Sequence, residues 1–386
     1  MIILTAKGTP IGITHNHIGR VTLTALPPGE RTNAVRVLHG DSGSEDFSGY
    51  LAIVSDGRLP DSFPFPAIHS CRIEHLQDRD IVSANLRGHL RTLIRHESTS
   101  NTLFATDRCN SLCLMCSQPP KNVDDSRSAE ELVRIVSLMD QGTKDLGITG
   151  GEPTLLGNGL LRVIEACRDM LPDTALHLLS NGRRFSNPVF AAQIAALKHP
   201  GLMIGIPVYS DIDALHDYVV QANGAFDETI GGLQNLALNE VPVEIRIVIQ
   251  RHTAGRLVEL AEFIYRNLTF AAHVAFMGLE ITGFAKPNLD DLWIDTADYA
   301  SGLDTAVRYL AARGFTVSVY NHQLCQVPSS LWPFCRQSIS DWKNEFPSEC
   351  DACAVKAKCG GFFTWNLAHD RARRVFPVAT NQVSQQ

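Results

Sequence analysis

The sequence predicts an α/β protein: a partial (βα)6 barrel, preceded by a small β-rich N-terminal domain and followed by a small cysteine-rich domain. Three observations support this fold class. Between about residues 101 and 290, short apolar runs of β type alternate with longer amphipathic stretches, as in a parallel sheet with covering helices. Residues 1 to about 100 hold short apolar runs broken by turn residues. Eight of the ten cysteines fall in two tight groups, one of three and one of five.

The composition argues against some classes of function. The chain has 386 residues, 44% of them hydrophobic and 19% charged, which is ordinary for a soluble globular protein of two or three compact units. A net charge of -7 argues against a surface that coats nucleic acid. No apolar run approaches the roughly 20 residues of a membrane helix, and the start lacks a signal-peptide pattern. We therefore expect a cytoplasmic protein with no nucleic-acid or membrane partner.

The alternating pattern predicts specific elements. Six strands are expected at 102–106, 145–149, 175–179, 202–208, 243–249 and 273–279. Six βα units are fewer than the eight that close a full barrel, so the barrel should stay open. Helices are expected at 128–140, at about 160–171, 187–197, 228–239 and 256–267, and at 296–313, before a strand in "FTVSVY". Ser128 and Glu131 have the spacing of a capping box for the first of these helices.

The predicted domain boundaries follow from these changes of pattern. The β-rich domain spans 1–100, the partial barrel 101–290 and the cysteine-rich domain 291–370, and a polar tail covers 371–386. Clustered cysteines in a large chain without an export signal indicate metal ligands rather than disulfides.

The first cysteine group follows the first strand of the predicted barrel. Cys109, Cys113 and Cys116 have the spacing C-x3-C-x2-C, and the carboxyl ends of parallel strands are where such folds carry their chemistry. Three thiolates can bind three irons of a [4Fe–4S] cluster and leave the fourth iron open to a small ligand. A zinc site completed by a histidine or a distant cysteine is an equal alternative on spacing alone.

The second predicted strand ends in the turn Gly150-Gly151-Glu152. Two glycines leave the backbone bare, so a ligand can approach closely. Glu152 then offers a carboxylate to an ammonium group in a charge-assisted hydrogen bond.

Two further strands contribute polar side chains. Ser180 and Asn181 end the third strand, and their side chains can bond ribose hydroxyls, although Ser-Asn-Gly is also a plain turn signal. Arg246 lies among apolar residues of the fifth strand. A buried arginine is costly unless it is paired, and a ligand carboxylate would pair it.

Together these residues resemble the radical S-adenosylmethionine (radical SAM) superfamily over about residues 101–290. The resemblance implies a partial (βα)6 radical SAM barrel in which the amino and carboxylate groups of SAM chelate the open iron. It also implies a reducing electron donor and a 5′-deoxyadenosyl radical that removes a hydrogen atom from the substrate. The superfamily usually has an aromatic residue just before the last cysteine; here it is Met115, which can still pack on an adenine face.

The second cysteine group resembles the auxiliary-cluster regions called SPASM and twitch domains. Its core is C-x2-C-x5-C followed by two glycines, and no cysteine follows it, so the shorter twitch type with one [4Fe–4S] cluster fits better. The expected ligand set is Cys325, Cys350, Cys353 and Cys359, with Cys335 as an alternative to Cys325. Four thiolates bind zinc as readily, so a structural zinc knuckle stays open.

Four stretches resemble the His-Xaa-Ser system radical SAM maturases of the HxsC type: "NTLFATDRCNSLCLMCSQPP", "AFDETIGGLQNL", "MGLEITGFAKPN" and "LWPFCRQSISDWKN". That resemblance implies a ribosomally made peptide substrate with His-Xaa-Ser repeats and a second radical SAM protein as partner. Two other functions remain open. One is a radical SAM enzyme that acts on a small molecule in cofactor biosynthesis, and the other is a zinc-stabilised binding or scaffold protein.

Overall fold

The computed structural model describes residues 4–40, 45–338, 345–369 and 374–379. Residues 339–344 of the last quoted stretch, and 371–373 and 380–386 of the predicted tail, lie outside this description. The chain divides into two compact units. Unit 1 comprises 1–104, 126–147 and 162–174, and unit 2 comprises 105–125, 148–161 and 175–386. The bounds of the four predicted segments therefore stay a prediction.

Unit 1 is built on an eight-stranded sheet with the order β1-β8-β7-β3-β4-β5-β6-β2. Its strands are β1 (Thr5–Lys7), β2 (Thr9–Ile11), β3 (His17–Thr22), β4 (Ala34–Leu38), β5 (Ala52–Ser55), β6 (Ala67–His69), β7 (Ile81–Ala84) and β8 (His89–Ile94). Strands β3 to β6 pair in parallel, and β1, β7 and β8 pair antiparallel, as does β2 with β6. The strand content expected for the N-terminal region is confirmed.

The two end strands of this sheet are consecutive in the chain, because only Gly8 separates β1 from β2. Since β1 pairs with β8 and β2 pairs with β6, this short stretch of chain connects the two ends of the sheet. Only glycine fits at this corner: a Cβ on Gly8 would lie 2.4 Å from the carbonyl oxygen of His69.

Unit 1 also contains the helix α1 (Ser128–Leu138). The predicted capping box is wrong, because Arg127 is the N-cap and makes no side-chain capping bond. Glu131 instead accepts a hydrogen bond from the side-chain amide of Asn16 at 3.2 Å. A contact between residues far apart in sequence thus displaces the local capping interaction.

The second sheet has seven strands in sequential spatial order, β9 to β15. They are β9 (Asn101–Phe104), β10 (Asp145–Thr149), β11 (Ala175–Leu179), β12 (Leu202–Pro207), β13 (Val243–Val248), β14 (His273–Met277) and β15 (Val317–Tyr320). The pairs from β11 to β15 are parallel. The six predicted strands are confirmed to within a few residues, and the predicted "FTVSVY" strand is the seventh strand of the same sheet.

Helices connect most of these strands. They are α2 (Asn158–Met170), α3 (Pro188–Ala196), α4 (Asp213–Val220), α5 (Ala225–Leu238), α6 (Arg251–Ala254), α7 (Leu257–Asn267), α8 (Leu289–Leu292), α9 (Thr296–Ala311) and α10 (Thr364–Leu367). The sequence pattern did not predict α4, α6, α8 or α10. No helix among the described residues is long and apolar enough to cross a membrane.

Candidate functional site

The first three cysteines lie on a loop, residues 105–120, that we call the cysteine loop. Its backbone is tied to the end of α4, because Leu112 and Leu114 donate to the carbonyls of Val220 and Val219 at 3.1 and 3.0 Å. The amide of Phe284 donates to the carbonyl of Cys116 at 2.8 Å. These bonds fix the loop at points before and after Cys113.

The three thiols of the loop are close enough to interact electrostatically. The pKa of Cys109 is raised to about 11: burial and the charges of Glu152 and Cys116 raise it, while amide hydrogen bonds from Ser111 and Asn110 partly offset them. Burial and the charges of the other two cysteines raise the pKa of Cys113 to about 12. Burial also raises the pKa of Cys116. The metal-free loop therefore holds neutral thiols, which bound metal cations would convert to thiolates.

The Gly150-Gly151-Glu152 turn packs directly on the cysteine loop. The amides of Gly151 and Glu152 donate to the carbonyls of Thr106 and Arg108 at 2.7 and 2.8 Å. A Cβ on Gly151 would lie 2.2 Å from the carbonyl oxygen of Arg108, and one on Gly150 2.6 Å from that of Thr106. We expected a ligand to use the bare glycine backbone, but in the structure the cysteine loop itself occupies that space.

The carboxylate of Glu152 is fully buried and joins two strand ends. Its Oε1 accepts from the amide and hydroxyl of Thr154 at 3.0 and 2.6 Å and from the hydroxyl of Ser180 at 2.8 Å. Its Oε2 accepts from the amide of Asn181 at 2.7 Å. Oε2 thus accepts from one donor and Oε1 from three among the described residues, so Oε2 is the oxygen better placed to accept another.

Asn181 connects the third strand end to the cysteine loop. Its side-chain Nδ2 donates to Oδ1 of Asn110 at 2.6 Å and lies 4.0 Å from Sγ of Cys109. The structure thus brings together Cys109, Glu152, Ser180 and Asn181, as the sequence predicted. The side chains of Ser180 and Asn181 both have protein partners, so their predicted bonds to ribose hydroxyls remain a prediction.

Arg246 has a protein partner that the sequence analysis missed. Its guanidinium donates to Oε1 of Glu244 at 2.5 Å and approaches Sδ of Met277 at 3.2 Å. Glu244 also bonds to Nδ1 of His273 at 2.6 Å. Glu244 therefore offsets the cost of burying the Arg246 charge, and no ligand carboxylate is required for that purpose. Residues i and i+2 of a strand share a face, so the Glu244–Arg246 spacing was the available signal.

Two further buried residues lie beside β13 or just beyond its end, Met115 and Gln250. Met115 is buried in an apolar cluster with Tyr209 and Leu279, against which Val248 packs. Gln250 continues the face of Arg246 and Val248, because it lies two residues beyond Val248 with extended backbone. Gln250 is fully buried, and neither atom of its amide has a hydrogen-bond partner in the described structure.

Four cysteines of the second group line one cavity: Cys325, Cys350, Cys353 and Cys359. Burial and the charges of the other three cysteines raise the pKa of Cys350. Cys335, like Cys325 and Cys353, packs against an apolar cluster that contains Cys359, but Cys335 does not line the cavity. Among the described residues, no group of three or more His, Cys, Asp or Glu is arranged to hold a metal ion. All seven cysteine ligands thus remain predictions.

Comparison with known proteins finds one family model that matches the central segment. Residues 103–264 match the model of the Radical SAM superfamily. This segment contains the cysteine loop, the Gly150-Gly151-Glu152 turn and the Ser180–Asn181 pair. The part of the chain that carries the site is therefore similar to the Radical SAM superfamily.

Two curated relatives match about half of the chain. GTP 3′,8-cyclase of Petrotoga mobilis is 27% identical over 184 residues, which cover 45% of this chain and 53% of that protein. The sporulation killing factor maturation protein SkfB of Bacillus subtilis is 24% identical over 201 residues, covering 50% and 46%. The chain thus spans about half the length of the curated relatives it matches.

Two solved structures with bound peptides align with part of the chain. Streptococcus suis SuiB bound to the precursor peptide SuiA aligns with a TM-score of 0.44 at 15% identity, over 56% of this chain and 48% of that one. Native anSMEcpe with bound AdoMet and the Cp18Cys peptide aligns with a TM-score of 0.48 at 15% identity, over 74% of this chain and 92% of that one.

Proposed function

We propose that this chain is a radical SAM enzyme in which Cys109, Cys113 and Cys116 bind three irons of a [4Fe–4S] cluster and leave the fourth to SAM. When bound and reduced, such a cluster supplies the electron that cleaves SAM to methionine and a 5′-deoxyadenosyl radical. The observation that carries the proposal is the position of Glu152. Its amide bonds to the cysteine loop, and its carboxylate bonds to the strand end that carries Ser180 and Asn181.

The chain's own groups suit this cofactor pair. Three partly buried, neutral thiols within electrostatic range of one another are suited to shared metal ligation rather than to disulfide pairing. Oε2 of Glu152 accepts a hydrogen bond from the Asn181 amide, and it can accept a second from the amino group of SAM. Met115 and Arg246 are the further candidates for SAM contact, Met115 at the adenine and Arg246 through the guanidinium nitrogens that Glu244 does not engage.

We further propose that the substrate is a ribosomally made peptide of the His-Xaa-Ser type, with a second radical SAM protein as partner and an external electron donor. The four stretches that resemble HxsC-type maturases support this, as does the similarity to SkfB, whose name denotes a maturation protein. A small-molecule substrate is the second candidate, because the curated relative from Petrotoga mobilis is a GTP 3′,8-cyclase.

An auxiliary [4Fe–4S] cluster in a twitch-type region is the proposed role of Cys325, Cys350, Cys353 and Cys359. Their shared cavity and their electrostatic coupling support it. The same four thiols could bind zinc. If both cysteine groups bound only zinc, the scaffold function would apply instead.

Anaerobic reconstitution with iron and sulfide tests these proposals in one preparation. We expect a brown protein with about eight irons per chain that forms 5′-deoxyadenosine from SAM and a strong reductant. Mass spectrometry of a co-expressed His-Xaa-Ser peptide, with GTP as the competing substrate, then separates the two substrate classes.

Matched cysteine variants provide the control. Cys113→Ala should abolish formation of 5′-deoxyadenosine, whereas Cys71→Ala, in the core of unit 1, should retain it. A colourless protein with two zinc ions per chain would refute the radical SAM function. Equal activity of both variants would refute the role of the cysteine loop.

A further inference from the structure

Arg183 is a largely buried cation that reaches the cysteine loop, although it lies 70 residues beyond Cys113 in the sequence. Its side chain is 14% exposed. Its Nε donates to Oε2 of Glu228 on α5 at 2.6 Å, which fixes the guanidinium from one side. Its NH1 donates to the carbonyl oxygen of Asn110 and, at 3.2 Å, to the hydroxyl of Ser111.

The peptide group that Arg183 contacts also contacts Cys109. The carbonyl of Asn110 and the amide of Ser111 belong to the same peptide unit, and that amide donates a hydrogen bond to the Cys109 sulfur. The guanidinium, the peptide unit and the sulfur therefore form one continuous chain of hydrogen bonds. In such a chain, a charged donor at one end polarises the peptide and strengthens the bond at the other end.

The Asn110 side chain reinforces this arrangement. It accepts from Nδ2 of Asn181 at 2.6 Å, and Oδ1 of Asn181 accepts from the amide of Arg183 at 3.1 Å. The side chains of Asn181 and Arg183, at and just after the end of the third strand, thus both bond to residues 110–111. The effect on a cluster follows from charge, because a nearby cation and hydrogen bonds to the ligand sulfurs favour the more reduced state.

We propose that Arg183 is a positioning residue that orients and polarises the Asn110–Ser111 peptide toward Cys109, and that it thereby raises the reduction potential of the cluster on the cysteine loop. This inference rests on the function proposed above. It explains why a buried cation lies next to a site that must accept an electron. A purely structural arginine would hold the loop in place without changing the potential.

Arg183→Gln and Arg183→Lys separate charge from hydrogen bonding. The potential is measured by redox titration of the electron paramagnetic resonance signal that changes when SAM is added, which isolates the loop cluster from any auxiliary cluster. For Arg183→Gln we expect the ratio of reduced to oxidised cluster at a fixed poise to fall about tenfold, or about 59 mV for one electron. Arg183→Lys keeps the charge but not the planar guanidinium, so the shift in reduction potential should be smaller than in Arg183→Gln.

Arg308→Gln is the matched control. It removes an exposed arginine on α9 and should leave the potential unchanged.

Hydrogen exchange of the metal-free protein tests the positioning without any cofactor. Amides of residues 109–116 should exchange several-fold faster in Arg183→Gln than in the wild type or in Arg308→Gln. Faster exchange with an unchanged potential would overturn the tuning role, and unchanged exchange and potential would overturn the inference entirely. A wild-type protein with no SAM-responsive signal would instead refute the proposed function and the tuning with it, and the exchange result would then decide the positioning role alone.

Discussion

Gly151 lies so close to Arg108 that an added Cβ would be 2.2 Å from the Arg108 carbonyl oxygen. Gly151 is not among the residues with positive φ, so its backbone conformation is open to other residues and only the close approach requires glycine. We expect Gly151→Ala to push the turn away from the cysteine loop, to destabilise the protein by about 2 kcal/mol and to lower iron bound at the loop. Urea unfolding of the metal-free protein and iron analysis after reconstitution measure the two effects.

Gly302→Ala is the matched control for this substitution. No atom lies within 4 Å of the added Cβ, and Gly302 lies inside helix α9. Alanine there should stabilise the protein by up to about 1 kcal/mol without changing the iron content. Equal iron content in the two variants would show that the turn does not support the cysteine loop.

The parts of this site that the sequence predicted are those carried by local spacing at strand ends. Cysteines, glycines and an acid directly after a strand must lie at one edge of a parallel sheet, so their proximity follows from the strand pattern alone. What Glu152 and Arg183 contact could not be predicted in this way, because their partners lie on other strands and loops. The same limit made the capping box at Ser128 wrong, since Asn16, 115 residues away in sequence, bonds to Glu131.

Cys325 and Cys335 differ in whether they line the cavity of the second cysteine group. Sequence spacing favoured Cys325 as the fourth ligand but left Cys335 as an alternative. Cys325 lines the cavity with Cys350, Cys353 and Cys359, whereas Cys335 does not. We expect Cys325→Ala to lose about four irons per chain on reconstitution and Cys335→Ala to retain them. Iron analysis with Mössbauer spectroscopy checks both variants. The reverse pattern would make Cys335 the fourth ligand.

The unpaired amide of Gln250 predicts a conflict between stability and function. A buried polar group without a partner costs about 1–3 kcal/mol, so Gln250→Met should raise the free energy of unfolding of the metal-free protein by about 1 kcal/mol. If the amide pairs with a bound substrate, the same variant should cleave SAM but form less product. Gln141→Met, at an exposed position, should change stability by less than about 0.5 kcal/mol and leave product formation intact. A loss of stability in Gln250→Met would mean that the amide already has a partner.

The buried Glu244 carboxylate should make the protein sensitive to acid. Burial alone would raise the pKa of Glu244, but the hydrogen bond from His273 and the charges of Arg246, His177 and His273 lower it to about 2. Its ordinary pKa is 4.5, so the unfolded chain binds this proton more tightly than the folded chain does. The stabilisation by Glu244 is therefore complete above about pH 4.5 and is lost as the pH falls toward 2.

Glu244→Gln should reduce the free energy of unfolding at pH 7 by about 3 kcal/mol, because it leaves the Arg246 guanidinium with no carboxylate partner at that position. The variant should also lose less stability than the wild type between pH 4.5 and 2, since the titrating group is gone. Urea unfolding of both proteins across this range measures the difference.

Glu262→Gln is the control. It breaks an exposed pair with Arg266 on α7 and should behave like the wild type to within about 0.5 kcal/mol. Parallel pH profiles for wild type and Glu244→Gln would mean that the Glu244 proton does not control acid stability, and the neutralising role of His273 and Arg246 would have to be abandoned.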